Sequence, residues 1–82
     1  MAQVAFLVRI TPEDPDKVDE LLEAIRKQLS PKGISKEELA FGIKAVKALF
    51  YVEESEGSAI EEKIAKIPNV GNVDVLSVDR LG

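Results

Sequence analysis

The centre of the chain reads Leu39-Ala40-Phe41-Gly42-Ile43-Lys44-Ala45-Val46, where a glycine follows one of only three phenylalanines in the sequence. Glycine weakens a strand, so a glycine in this apolar run indicates a bulge, a sharp bend or the close approach of another backbone. In one interpretation, Gly42 lets one strand end and the next begin while Phe41 packs in the core. In the other, the bend presents Phe41 outward to a partner. The local pattern alone favours the core position.

The residues on either side of this segment differ in character. After Lys44-Ala45 the chain alternates with the period of a strand, and its apolar face consists of Val46, Ala48, Phe50 and Val52. The opposite face would carry Lys47, Leu49, Tyr51 and Glu53. Residues 34–38 are polar and have no clear pattern. The region from Leu39 onward is therefore either two antiparallel strands joined tightly or one long strand bent at Gly42.

The first third of the chain predicts a strand and a helix. Residues Gln3 to Ile10 alternate, and the strand ends at Thr11-Pro12 because proline cannot donate to a sheet. Asp14 and Pro15 suit the N-cap and the first position of a helix that ends near Leu29. Glu23 and Lys27 are spaced to pair on its exposed side. The apolar residues are Val4, Phe6, Val8 and Ile10 in the strand and Val18, Leu21, Leu22, Ile25 and Leu29 in the helix.

The last third predicts a second helix and a final strand. The run Glu54-Ser55-Glu56-Gly57 breaks the preceding strand, and Ser58 with Glu61 has the spacing of a capping box. Pro68 ends this helix, whose buried residues would be Ile60, Ile64 and Ile67. Val73 to Arg80 then alternates. One face would hold Val73, Val75 and Ser77, and the other Leu76, Val78 and Arg80.

The order strand, helix, strand, strand, helix, strand predicts a ferredoxin-like α+β fold. In this βαββαβ sandwich, a four-stranded antiparallel sheet carries both helices on one face. Residues 1–82 should form a single domain, since a chain of this length supports one core. The other face would be open and apolar, which is equally compatible with self-association and with a foreign partner. Its predicted apolar residues are Leu7, Leu49, Tyr51, Leu76 and Val78.

Composition argues against several classes of function. The net charge of −4 argues against nucleic-acid binding, because such binding depends on neutralising phosphates. The sequence has no cysteine and no histidine, hence no thiolate metal site and no usual general base. Neither a membrane-spanning run nor a signal peptide is present, which predicts a soluble, cytoplasmic protein. We expect no enzymatic activity, no cofactor and no resident metal, and we expect adjacent acids such as Glu53 and Glu54 to be solvated.

The order and spacing of several segments are those of a known family. Phe41-Gly42-Ile43-Lys44 is followed by an alternating strand that ends in acids at Glu53 and Glu54. A helix opens at Gly57-Ser58, and the last strand reaches a cationic residue and a leucine at Arg80-Leu81. Together these segments resemble the nucleotide-exchange domain of elongation factor 1-beta, over nearly the whole chain. The size of the chain is similar to that of the free-standing archaeal form.

The resemblance implies a non-enzymatic exchange factor that binds GDP-loaded elongation factor 1-alpha and speeds GDP release. In the family, the phenylalanine presses on the partner's nucleotide-binding domain near its switch region. A lysine near the C-terminal end intrudes where the partner holds Mg²⁺. These roles transfer to Phe41 and Arg80, and Gly42 would both turn the chain and keep bulk away from Phe41. The implied partner-binding residues are Phe41, Gly42, Lys44, Arg80 and Leu81.

The sequence also departs from the family pattern. Arg80 replaces the lysine, and a planar guanidinium is not interchangeable with an ammonium. Gly82 extends beyond the leucine, and Leu39 stands where a proline-containing segment is common. Without the resemblance, Arg80 would be interpreted as a solvated side chain at the end of the last strand. The alternative function is a ferredoxin-like regulatory or self-associating domain that binds a small ligand.

Overall fold

The computed structural model describes residues 3–81. Its helices and strands follow the predicted order: β1 (Gln3–Pro12), α1 (Val18–Leu29), β2 (Gly33–Glu38), β3 (Lys44–Glu53), α2 (Gly57–Ala65) and β4 (Val70–Leu81). The strands form one sheet in the order β2-β3-β1-β4, and each neighbouring pair is antiparallel. The predicted ferredoxin-like α+β fold is confirmed.

An apolar core lies between the two helices and one face of the sheet. The alternation predicted for β1 and β3 is confirmed, because Val8, Ile10 and Val46 are fully buried while Arg9 and Lys47 are partly exposed. Each helix buries one apolar stripe against that face, as its spacing predicted. Burial of one large aliphatic side chain contributes about 1.5–3 kcal/mol. The core cluster contains Phe6, Val8, Ile10, Val18, Leu21, Ile25, Val46, Ala48, Phe50, Ile60, Ile64 and Ile67.

The start of α1 differs from the prediction in two details. Asp14 caps a short 3-10 turn, Pro15–Lys17, that precedes the helix, and its carboxylate accepts a hydrogen bond from the Asp16 backbone N–H at 3.0 Å. The predicted pair between Glu23 and Lys27 is wrong. Glu23 instead accepts a hydrogen bond from Nη2 of Arg26 at 2.6 Å. Side chains three residues apart are also neighbours on a helix, and the arginine fork suits a carboxylate better than an ammonium does.

The capping box predicted for α2 is wrong. The helix begins at Gly57, so Ser58 lies inside it, and Glu56 takes the N-cap position without a side-chain hydrogen bond to the backbone. A second 3-10 turn, Glu54–Glu56, leads directly from β3 into the helix. Because this turn leaves Ser58 without the extended backbone that a capping residue needs, its hydroxyl cannot act as the cap.

The second strand lies earlier than either interpretation of the sequence placed it. The polar residues 33–38 form β2 and pair with β3, from Gly33 opposite Leu49 to Glu38 opposite Lys44. Leu39 to Ile43 is the connection between them, so the single bent strand is wrong. Two antiparallel strands do follow each other closely, but the first consists of the polar residues. Charged side chains are typical of an edge strand, where they discourage pairing with other chains.

Ion pairs connect β2 to both sides of the sheet. On the helix side, the Lys36 ammonium lies 2.8 Å from the Asp19 carboxylate of α1. On the open face, the Glu37 carboxylate accepts a hydrogen bond from Nε of Arg9 at 2.6 Å and lies 3.6 Å from the Lys47 ammonium. The hydrogen bond from Arg9 is the main cause that holds the pKa of Glu37 below its usual range.

This network predicts a pH-dependent contribution to stability. Since the pKa of Glu37 is lower in the folded chain than in the unfolded chain, the contribution is present above the ordinary glutamate pKa of about 4.3. It is lost as the pH falls through the folded value. We expect Glu37→Gln to lower the free energy of unfolding at neutral pH and to match the wild type in strong acid. Urea unfolding across this pH range measures the difference.

Glu38→Gln is the matched control, because Glu38 follows Glu37 in β2 and lies on the other side of the sheet, opposite Lys44. Its effect should not follow the same pH profile. If the deficit of Glu37→Gln stayed constant into strong acid, Glu37 would not contribute through its charge.

A β-bulge at Leu76 changes the faces predicted for β4. The pairing with β1 shifts by one residue there, so that Val75 before the bulge and Val78 after it both lie opposite helix-facing residues. Arg80 likewise lies opposite Val4, which is buried on the helix side. The prediction that put Val75 and Val78 on opposite faces is therefore wrong. An extra residue reverses the alternation, which the strand's own sequence does not reveal.

The open face of the sheet is less apolar than predicted. Val78 does not belong to it, Leu76 lies at the bulge and is 37% exposed, and Leu7 and Leu49 are half-buried. Tyr51 remains as an exposed aromatic residue, 45% accessible, and the Lys32 ammonium lies 5.7 Å from the centre of its ring. This face therefore has fewer exposed apolar side chains for self-association than the sequence predicted.

Asn69 joins two loops at the end of the sheet where β1 ends and β4 begins. Its backbone is left-handed, with φ 72°. Its side-chain Oδ1 accepts a hydrogen bond from the Asp14 N–H at 2.7 Å, and its backbone carbonyl accepts one from the Glu13 N–H at 2.9 Å. The loop before β4 is thereby fixed to the loop before α1.

We expect Asn69→Ala to lower the free energy of unfolding by about 1–2 kcal/mol. Alanine adopts the left-handed conformation less readily than asparagine, and the Asp14 N–H loses its side-chain acceptor. Urea denaturation measures this change as a lower midpoint at constant slope. Asn72→Ala is the control, because the Asn72 amide donates only across the surface, to Asp74 at 3.1 Å. Equal losses in both variants would contradict a special role for Asn69.

Candidate functional site

The turn between β2 and β3 presents Phe41 to solvent. The Leu39 N–H donates to the Ile43 carbonyl at 2.6 Å, which closes the turn around a short 3-10 segment, Ala40–Gly42. Phe41 is 99% exposed. The interpretation that placed Phe41 in the core is therefore wrong. The turn lies outside both strands, so the alternation that buries every second residue of β3 does not extend to it.

Phe41 and Gly42 both have left-handed backbone conformations, with φ of 63° and 74°. This conformation costs a residue with a side chain about 1–2 kcal/mol, and the exposed ring makes no packing that would offset the cost. Strain of this kind is often found at binding sites. An added Cβ at Gly42 would meet nothing within 4 Å. Gly42 is therefore required by the backbone conformation and not by a shortage of space beside Phe41.

Two further residues follow the tip of the turn in the chain, Ile43 and Lys44. Ile43 is 41% exposed and extends the apolar surface of the turn, although the strand-like pattern gave no sign of it. Lys44 is the first residue of β3, lies opposite Glu38 and is half-buried. This end of the molecule thus presents an aromatic tip with an aliphatic and a cationic neighbour.

Arg80 and Leu81 lie at the far end of β4. Arg80 is opposite Val4, while Leu81 is opposite Gln3 and half-buried. The Arg80 side chain is 69% exposed, and its Nη2 donates to both carboxylate oxygens of Glu54, at 3.0 and 3.2 Å. Gly82, expected to alter how this end enters a partner, lies outside the described residues.

The sequence pattern did not indicate Glu54 as the partner of Arg80. Glu54 belongs to a run that breaks a strand, and it was expected to be solvated. The strand order nevertheless contains the signal, because β1 lies between β3 and β4. Val4 pairs with Val52 on one side and with Arg80 on the other, so the acids that follow β3 must lie near the end of β4.

The structure separates the candidate residues into two groups. The turn that carries Phe41 leads into the part of β3 where Val46 pairs with Ile10, near the end of β1. Arg80 pairs with Val4, near the beginning of β1. The strand from Val4 to Ile10 spans roughly 20 Å, in a molecule whose longest dimension is 40 Å. Phe41, Gly42 and Lys44 therefore lie at one end of the sheet, and Arg80 and Leu81 lie at the other.

The surface cavity beside α1 is not lined by any of these candidate residues. It has a volume of about 440 Å³ and lies between α1 and the loop at Pro68 and Asn69. Within residues 3–81, no three acidic side chains are arranged to hold a metal ion. No helix in that range is long and apolar enough to cross a membrane.

Comparison with known proteins identifies the family. A family profile described as the EF-1 guanine nucleotide exchange domain matches residues 5–81. The chain is 36% identical over 91 residues to Elongation factor 1-beta of Methanothermobacter thermautotrophicus, and 37% identical over 89 residues to that of Staphylothermus marinus. Each alignment covers 99% of this chain and 99% of the relative. Elongation factor 1-beta of Caldivirga maquilingensis is 36% identical over 84 residues, which is 92% of this chain and 91% of the relative.

These matches confirm the resemblance that rested on Phe41-Gly42-Ile43-Lys44 and on the order of the surrounding segments. They also support the predicted function of guanine nucleotide exchange, and they do not favour the alternative of a regulatory or self-associating domain for a small ligand. The chain belongs to the EF-1 guanine nucleotide exchange domain family.

Proposed function

We propose that this chain, acting as one domain, binds GDP-loaded elongation factor 1-alpha and accelerates GDP release, so that GTP can enter. The observation that carries the proposal is the family match over residues 5–81. Relatives that align over nearly their whole length are named Elongation factor 1-beta, which is consistent with this partner. An exchange factor makes and breaks no covalent bond. It acts by binding the nucleotide-free partner more tightly than the nucleotide-bound partner.

The energetic requirement on such a factor is modest. Each tenfold weakening of GDP binding corresponds to about 1.4 kcal/mol of coupling between the two binding events. Coupling energies of about 1–3 kcal/mol are typical of allosteric systems. A few well-placed contacts therefore suffice, and the chain offers one candidate contact at each end of its sheet.

At the turn between β2 and β3, we assign the role of anchor to Phe41. A fully exposed aromatic ring on a strained, well-defined turn gains the most when a partner pocket buries it. Gly42 permits the conformation that directs the ring outward, and Lys44 adds a positive charge where β3 begins. An anchor at this end needs only an apolar pocket on the partner.

At the end of β4, we assign to Arg80 an action on the Mg²⁺ site of the partner, with Leu81 as an adjacent apolar contact. A guanidinium brought near a divalent cation repels it, and it competes for the same carboxylate and phosphate oxygens. Loss of Mg²⁺ then weakens the hold on the nucleotide phosphates. The Arg80 side chain is exposed and tied to the rest of the chain by a surface ion pair, so it is accessible for this role.

The distance between the two groups assigns them different tasks. At roughly 20 Å or more apart, Phe41 and Arg80 cannot both press on the few atoms around one metal ion. Phe41 should therefore contribute mainly to the affinity of the complex, and Arg80 to the rate of GDP release within it. That Phe41 contacts the partner near its switch region stays a prediction.

The test is the release of fluorescent GDP from elongation factor 1-alpha, measured with increasing amounts of this chain and excess unlabelled nucleotide. We expect the release rate to rise and to saturate. An unrelated GTPase loaded with the same nucleotide is the control and should show no acceleration. An unchanged release rate at the highest concentration, with the fold verified by circular dichroism, would rule out the proposed function.

A further inference from the structure

Arg80, to which we assign an action on the partner, forms an ion pair with Glu54 in the free chain. The Arg80 guanidinium is exposed, yet it is not free: its Nη2 donates to both oxygens of the Glu54 carboxylate at 3.0 and 3.2 Å. We propose, building on the function proposed above, that Glu54 is a positioning residue for Arg80. It holds the guanidinium against the chain until the partner offers competing acceptors.

The geometry allows this hold to be released. One nitrogen makes both hydrogen bonds, so the pair lacks the two parallel bonds of a full fork between arginine and carboxylate. Both side chains are largely exposed, at 69% for Arg80 and 53% for Glu54. Exposed pairs of this kind change an equilibrium by up to about fivefold, which is about 1 kcal/mol. The partner can therefore break the pair at little cost.

Glu54 is better fixed than Arg80. It is the first residue of the 3-10 turn that connects β3 to α2, and both of those elements contribute to the core. Arg80 lies on an edge strand that pairs on one side only, with β1. The carboxylate is thus the stationary member of the pair and the guanidinium is the movable one.

Pairing and action on a metal are mutually exclusive for electrostatic reasons. A guanidinium neutralised by its own carboxylate repels a divalent cation only weakly. If Glu54 accompanied Arg80 to the site, its oxygens would be ligands of the kind that Mg²⁺ prefers, and they would oppose loss of the metal. The unpaired form is therefore the competent one, and Glu54 sets the fraction of the chain in which Arg80 is free to act on the metal.

The expected result concerns Glu54→Gln, which keeps the shape of the side chain and removes its charge. The maximal rate of GDP release should rise about twofold to fivefold at low ionic strength, while the half-saturating concentration, which depends mainly on Phe41, changes less. The advantage should disappear at high ionic strength, where exposed charges are screened. It should also disappear in an Arg80→Ala background, because no guanidinium remains to be released.

Glu56→Gln is the matched control. Glu56 belongs to the same 3-10 turn, and the substitution makes the same change in net charge. Any general effect of charge on the encounter with the partner should appear equally in both variants. In the free chain, the NMR resonance of the Arg80 Nε–H should shift in Glu54→Gln and stay in place in Glu56→Gln.

The possible outcomes separate the two proposals. If the wild type accelerates GDP release but Glu54→Gln and Glu56→Gln behave alike, the positioning role of Glu54 is overturned and the exchange function stands. If Glu54→Gln instead lowers the maximal rate, the pair prepares Arg80 for its action and does not restrain it, which also overturns the proposal. If the wild type has no exchange activity, the proposed function itself fails.

Discussion

Replacing Phe41 with alanine should raise the half-saturating concentration of this chain in GDP exchange by about 30-fold, because loss of a buried aromatic anchor costs about 2 kcal/mol or more. Phe41 is 99% exposed in the free chain, so its surface is available to a partner. The maximal release rate should change little, since Phe41 lies at the opposite end of the sheet from Arg80. Titration of the release rate against the concentration of this chain separates the two parameters.

A second substitution at Phe41 tests the cost of its backbone conformation to stability. Phe41 has φ 63°, a conformation that asparagine adopts more readily than other residues with a side chain. Phe41→Asn should therefore keep or increase the free energy of unfolding, by up to about 1 kcal/mol, while it loses affinity for the partner. Urea denaturation provides this measurement. A residue whose replacement stabilises the fold and weakens binding is present for its function.

Tyr51→Ala is the matched control for Phe41. Tyr51 is the other aromatic residue with substantial exposure in the described chain, at 45%, and it lies on the open face of the sheet. Its removal should leave the exchange parameters within about twofold of the wild type, since a residue outside the contact contributes little. If Tyr51→Ala caused the larger loss of affinity, the contact would lie on the open face, and the turn at Phe41 would not be the anchor.

The parts of the fold that could be predicted from the sequence are those whose residues face a single, continuous core. Val4, Phe6, Val8 and Ile10 alternate because every second residue of β1 meets the helices, and this pattern is local. The stripes of α1 and α2 are visible for the same reason. The order of the elements then leaves few arrangements, so the ferredoxin-like topology follows from local patterns alone.

The parts that could not be predicted depend on residues distant in the chain. The sequence of β2 has the polar character of a loop. Its stability comes from pairing with β3 and from ion pairs such as that between Arg9 and Glu37, which are 28 residues apart. The bulge at Leu76 exists only in relation to β1. Neither feature leaves a periodic signal in its own segment, so the position of β2 and the faces of β4 were missed.

The candidate site shows the same division. The resemblance to the family indicated Phe41 and Arg80 as contact residues. The local pattern favoured a core position for Phe41, because alternation alone does not show that residues 39–43 form a turn outside the strands. The separation of the two residues follows from the register of three strands. The ion pair between Arg80 and Glu54 could have been inferred from the strand order, although not from the local sequence around either residue.

Replacing Arg80 with alanine should lower the maximal rate of GDP release by about 10- to 100-fold, since a contact between charged groups is worth about 1.5–3 kcal/mol. The half-saturating concentration should change less, because the anchor at Phe41 is intact. The fold should be unaffected, since the side chain is 69% exposed and its ion pair lies at the surface. Arg26→Ala is the matched control, because it breaks a similar exposed pair, with Glu23, on α1.

Dependence on Mg²⁺ distinguishes an action on the metal from an ordinary contact. If the guanidinium competes with Mg²⁺, the deficit of Arg80→Ala should grow as the Mg²⁺ concentration rises and should vanish when a chelator removes the metal from the partner. Arg80→Lys keeps the charge but loses the planar fork, so it should retain most of the Mg²⁺-dependent rate if charge repulsion dominates. A deficit that is the same at every Mg²⁺ concentration would show that Arg80 contacts the partner elsewhere. In that case the metal site would be opened by another group.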